Sequence, residues 1–85
     1  MFFKGEQNNM NEFTRIIHDT KIMGGKACIK GTRVTVGMII TQLSKGKTID
    51  VLLDEYPYLS QADIYEALKY SAWLVNSIEM EVVTA

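Results

Sequence analysis

The chain has 85 residues, 47% of them apolar, with one cysteine, one proline and a net charge of −1. That length predicts one domain, able to bury only about 60% of its unfolded surface; its apolar content exceeds what so small a core needs, leaving surface for a partner or a second copy. One cysteine excludes an internal disulfide, no run of about 18 apolar residues is present to span a membrane, and Met1-Phe2-Phe3-Lys4 is too short an apolar stretch for a secretory leader, so the expectation is a cytoplasmic protein without a membrane segment.

Residues 1–12 are polar around Gly5-Glu6-Gln7-Asn8-Asn9 and read as a flexible arm. Met10 is a second candidate for the start of translation. The domain proper is expected over residues 13–78. Phe13-Thr14-Arg15-Ile16-Ile17-His18 has strand composition, and Asp19-Thr20-Lys21 reads as a turn. The stretch from Gly24 to Val36 organises the rest, with three of the six glycines and the cations Lys26, Lys30 and Arg33. Gly24-Gly25 reads as a tight reversal, since glycine takes positive φ without a Cβ clash. Ala27-Cys28-Ile29 is a short strand able to pair with the first as an antiparallel ribbon. A lone two-stranded ribbon is marginal in water, so it must pack on helices or extend into a dimer sheet. Lys30-Gly31 turns the chain again, and Thr35 reads as a helix N-cap.

The first helix is expected over Val36 to Lys45, where Val36, Ile39, Ile40 and Leu43 make one apolar stripe. Gly46 stops it, and Lys45 suits the negative end of its dipole. Thr48 caps the second helix, whose stripe is Ile49, Leu52, Leu53 and Tyr56, and Pro57 ends it. Ser60-Gln61-Ala62-Asp63 reads as a capping box with Asp63 in the place of glutamate. The third helix follows, expected to run to Ile78 with Ile64, Ala67, Leu68, Ser71, Ala72 and Val75 inward. Tyr65, Tyr70 and Trp73 fall off that row. Residues 79–85 read as an acidic-apolar tail, frayed or strand-like. The fold class is mainly α: a tri-helical helix-turn-helix bundle, homeodomain-like, with a small N-terminal β element.

No constellation for chemistry is visible. One histidine and one cysteine leave no spacing for a zinc site. His18 and Asp19 are strand neighbours and point to opposite faces. Cys28 sits in an apolar run as a small hydrophobe. Asp50 and Asp54 share a helix face with no base or metal ligand beside them. Gly24-Gly25-Lys26 lacks phosphate-loop spacing. A non-enzymatic protein without cofactor or metal is expected.

Charge is the stronger signal. Between Arg15 and Lys47 seven bases face one acid, Asp19; between Thr48 and Ala85 seven acids face one base, Lys69. A chain split into +6 and −6 segments fits two different partners or self-docking; ordinary solvated faces are the competing reading. If the third helix entered a major groove, Gln61 would be the residue to read adenine. Asp63 and Glu66 on that helix would repel phosphate. Contacts to DNA are therefore expected from Lys26, Lys30, Arg33, Lys45 and Lys47. The structural alternative has Gly31-Thr32-Arg33 only folding the turn, with Arg33 pairing Asp19 or capping a helix end. The acidic back half carries Tyr58, Tyr65, Tyr70 and Trp73, with Tyr65, Tyr70 and Trp73 as candidate partner anchors. The competing reading gives those aromatics to the domain's own core or a homodimer seam.

The pattern G-G-K-x-x-I-K-G-T-R-V, then a helix, a glycine, and Y-P-x-L-S-x-x-D-I-x-x-A-L-x-Y, resembles the bacterial domain of unknown function family 433 from about Arg15 to Trp73. The resemblance implies a small helix-turn-helix-like domain. Many such members sit beside a PIN-like nuclease toxin and are classed as antitoxins related to the VapB type. At Ala27 this chain departs from the family, which most often has proline there, and a softer loop is expected. The resemblance thus implies an antitoxin that pairs with a PIN-like nuclease, and with the cationic front segment the expected reading is a homodimer that binds operator DNA and regulates its own operon. The alternative is a protein–protein interaction module without DNA binding.

Overall fold

The computed structural model describes residues 12–84, with side chains as far as Glu79. Most of the arm expected over residues 1–12, including Met10, lies outside the described residues. Strand β1 (Ile16–His18) pairs antiparallel with β2 (Ala27–Ile29), setting Ile16 opposite Ile29, Ile17 opposite Cys28 and His18 opposite Ala27. β1 is shorter than its composition predicts because the chain turns at Phe13. The Ile16 N–H donates to the Phe13 carbonyl at 3.1 Å, and the Phe13 ring goes inward.

The link between the strands is built from turns that the sequence announces. Asp19 Oδ1 accepts from the Lys21 N–H at 2.9 Å, and a single 3-10 turn covers Met23–Gly25. Met23, Gly24 and Gly25 all have positive φ, at 51°, 68° and 86°, so two of the three positions are filled by the residue that meets no steric penalty there. After β2 the Thr32 hydroxyl donates to the Ile29 carbonyl at 2.8 Å and accepts from the Val34 N–H at 3.0 Å. The chain folds back until the Ile29 N–H reaches the Val34 carbonyl at 2.9 Å and Cys28 bridges to Thr35. The ribbon therefore delivers the chain to the first helix already hydrogen-bonded to it.

Three helices follow: α1 (Val36–Ser44), α2 (Ile49–Glu55) and α3 (Gln61–Thr84). Thr35 Oγ1 caps α1 by accepting from the Met38 N–H at 3.0 Å, and Thr48 Oγ1 caps α2 through the Val51 N–H at 3.2 Å. Each cap satisfies an N–H that the helix itself leaves unpaired. Gly46 ends α1 at φ 95°, with its N–H on the Leu43 carbonyl at 3.0 Å. This is a small mainly α bundle with an N-terminal β element, as expected. Ile39, Leu52 and Ile64, one from each helix, are fully enclosed at the centre, and Phe13, Ile16 and Ile29 close the core from the ribbon side. Among the described residues no helix is long and apolar enough to cross a membrane.

Two features of α3 differ from the sequence reading. The helix does not stop near Ile78 but continues to Thr84, so the expected tail is helical over most of its length. Its buried row also runs through Ile64, Ala67 and Tyr70, while Leu68, Ala72 and Val75 are exposed. Periodicity alone allows either row. The choice falls to what lies opposite, and Phe13 stacks edge-on against Tyr70 with ring centroids 5.4 Å apart.

Candidate functional site

A cationic turn can serve as a docking surface only if something holds it still, and here the first turn of α3 does so. Asp63 and Ser60 form the expected capping box. Asp63 Oδ2 accepts from the Ser60 N–H at 2.9 Å, and Ser60 Oγ accepts from the Asp63 N–H at 3.2 Å. The second carboxylate oxygen of Asp63 accepts from the Arg15 guanidinium at 3.1 Å. The backbone N–H of Arg15 donates to the Glu66 carboxylate. Both acids of the first turns of α3 are thus taken up by the residue just before β1. Asp63 is buried, not exposed as the groove-facing reading expects, and Glu66 is half-buried.

On the far side of the ribbon, His18 Nε2 and the Tyr70 hydroxyl are 3.1 Å apart. Burial pushes the Tyr70 phenol above its ordinary value. Arg15 at one end and His18 at the other therefore tie β1 to α3, the first by an ion pair with Asp63 and the second by a hydrogen bond with Tyr70.

The six candidate DNA contacts separate into groups. Lys26, Lys30 and Arg33 are all exposed, Lys26 just before β2 and the other two on the turn after it. Lys26 and Lys30 flank a three-residue strand, which puts their backbones about 13 Å apart. Lys45 is exposed at the C-terminal end of α1, about 14 Å of helix away from that turn. Lys47 is half-buried, and its ammonium meets the Glu55 carboxylate at 2.8 Å and 3.0 Å. The acid partner leaves Lys47 less able to serve a phosphate. Gln61 is exposed at the start of α3, with Nε2 3.4 Å from the Tyr65 hydroxyl. Arg33 does not pair with Asp19. Among the described residues the ion pairs are Arg15–Asp63 and Lys47–Glu55.

The three candidate partner anchors divide as well. Tyr65 is 49% exposed, whereas Tyr70 is 6% exposed and belongs to the core. Trp73 is half-buried against Phe13 and Tyr70, at centroid distances of 5.8 and 5.9 Å. Tyr70 and Trp73 thus complete the aromatic cluster that seats the ribbon, and Tyr58 and Tyr65 are the aromatic rings left at the surface of the back half. Arg15 is the residue that the sequence reading overlooks. Its signal is an i, i+3 acid pair, Asp63 and Glu66, on a helix whose other early positions are uncharged, although nothing local in the sequence names the partner. Among the described residues no three His, Cys, Asp or Glu side chains gather as a metal cage.

The class defined by these elements is a small three-helix domain carrying a latched β ribbon with a cationic turn. The chain belongs to the DUF433 family, described as a protein of unknown function, whose model matches residues 16–71. No curated protein and no solved structure matches the chain.

Proposed function

We propose that the chain is a cytoplasmic antitoxin that neutralises a PIN-like nuclease and contacts operator DNA through Lys26, Lys30 and Arg33. One observation carries the DNA half of this reading: these three cations are exposed around β2, which is hydrogen-bonded on both sides and whose partner strand β1 is latched to α3 through Arg15. Pre-positioned cations lose little freedom on meeting phosphate, and each released counterion adds to the salt dependence of binding. The acids that would oppose such an approach are engaged elsewhere, since Asp63 and Glu66 face Arg15 and Glu55 faces Lys47. Lys45 extends the basic surface only in a complex that also reaches the far end of α1. Gln61 is the candidate for base contact.

The toxin half rests on the family resemblance together with the exposed Tyr58 and Tyr65 of the acidic segment. Exposed tyrosines beside carboxylates suit a basic groove by which a nuclease holds its RNA. The test has two arms. In the first, a gel-shift titration on the chain's own promoter compares the wild type with Lys30→Ala/Arg33→Ala. Loss of about tenfold or more in affinity, with a shallower salt slope, supports the reading. Equal affinity refutes it and leaves an interaction module without a DNA role. In the second, the product of the neighbouring gene is co-expressed and captured. Retention of a PIN-like nuclease that weakens with Tyr65→Ala supports the toxin half, and no retention overturns it.

A further inference from the structure

α3 is longer than the body it packs on. Its 24 residues make about 36 Å of helix, yet among its described side chains the last buried one is Tyr70, the tenth residue of the helix. Beyond that point Leu74, Val75 and Ile78 are exposed, the last two at 51% and 59%. Leu68, Ser71, Val75 and Ile78 follow the three-four spacing of a helix-pairing seam. Beside this ridge lies an apolar groove of about 710 Å³ between α1 and α3, floored by Val36, Ile40, Tyr70 and Leu74. Among the described residues Lys26 is the one charged residue in its lining. Ridge and groove are continuous, because Ser71 belongs to both and Leu74 of the groove adjoins Val75 of the ridge.

The geometry points to a second copy of this chain as the occupant of the groove, with the two α3 helices antiparallel and crossing between Leu74 and Val75. That register sets Val75 against the partner's Leu74. It sets Ile78 over the partner's Ser71, a large side chain above a small one. It brings Glu79 level with the partner's Tyr70, on the groove that Lys26 lines, so an acid meets the groove's one cation. A two-fold axis makes each of these contacts twice and covers both ridges and both grooves at once. Two heptads are too short to hold as a free coiled coil, so the groove supplies the rest of the buried surface. This inference needs neither DNA nor toxin, but it claims Lys26 for the dimer seam, as Glu55 claims Lys47, and leaves Lys30 and Arg33 as the cations free for phosphate.

The experiment is analytical ultracentrifugation of the full chain, from low micromolar to about 100 μM. The wild type is expected to approach twice its 9.6 kDa mass as concentration rises. Val75→Glu/Ile78→Glu changes exposed side chains only, so it is expected to keep the helical circular dichroism and melting behaviour of the monomer while losing the dimer. Lys26→Glu and Glu79→Lys are each expected to weaken association by about tenfold, since each acts twice across the axis. The combined Lys26→Glu/Glu79→Lys variant is expected to restore it. A wild type that stays monomeric, a dimer indifferent to Val75→Glu/Ile78→Glu, or a charge swap that fails to rescue would each overturn the proposal.

Discussion

Asp63 is the residue on which the ribbon and the bundle both depend, and replacing it with alanine measures that dependence. The substitution removes an acceptor for the Ser60 N–H at 2.9 Å and for the Arg15 guanidinium at 3.1 Å. Loss of one capping interaction costs about 1 kcal/mol. The Arg15 side chain is 48% exposed, so solvent screens its pairing and the ionic part adds at most about 1 kcal/mol. The expected total is about 2 kcal/mol, which lowers the melting temperature of a domain this size by about 8–16 °C. Urea denaturation followed by circular dichroism reads the value directly. A double-mutant cycle with Arg15→Met should then return a coupling below about 1 kcal/mol. Asp63→Asn keeps a cap acceptor and should retain about half of the loss. If Asp63→Ala costs less than about 0.5 kcal/mol, neither the cap nor the latch contributes as the distances imply.

The glycines of the two helix ends should behave oppositely. Gly46→Ala forces an alanine to φ 95° and is expected to destabilise by about 1 kcal/mol, whereas Gly37→Ala sits in α1 with its new Cβ an ordinary 3.8 Å from Thr35 Oγ1 and should stabilise by about 0.5–1 kcal/mol. Thermal melts of the pair check both signs. Ile64→Ala empties a fully enclosed site and should cost about 3 kcal/mol, enough to leave a measurable unfolded fraction at 37 °C by circular dichroism. The Tyr70 phenol ionises at higher pH in the folded chain than in the unfolded one. The unfolded state then binds fewer protons above about pH 10, so this residue makes stability fall as pH rises from there toward the folded value. Tyr70→Phe should show a flatter stability profile over that window by denaturant titration, and matching slopes would contradict the burial argument.

Much of the fold is legible in the sequence because it is set locally. Thr35, Thr48, Gly46 and the Ser60–Asp63 pair each act within four residues, and each is found capping or stopping the helix it borders. The reversal at Gly24-Gly25 is likewise a property of those residues alone. What escapes local reading is decided across the molecule. Arg15 and Asp63 are 48 residues apart, and no spacing rule connects them. The inward face of α3 is chosen by the Phe13 ring, so Tyr70 enters the core in place of the Leu68–Val75 row that periodicity favours equally. The candidate cationic surface is similarly half legible. Lys26, Lys30 and Arg33 stay together because one short strand and its turn carry them, while Lys47 is claimed by Glu55 from the next helix.

The latch between Arg15 and the first turns of α3 also has a consequence for the order in which the molecule assembles. Helices α1 and α2 close over neighbours in sequence and can form early, but the ribbon gains its fastening only after a loop of 48 residues has been drawn shut. On the ribosome the segment that emerges first must therefore wait for the one that emerges late. Until α3 arrives, Phe13 and Ile16 have no roof, and a nascent chain halted before Asp63 would present that apolar edge to chaperones and proteases.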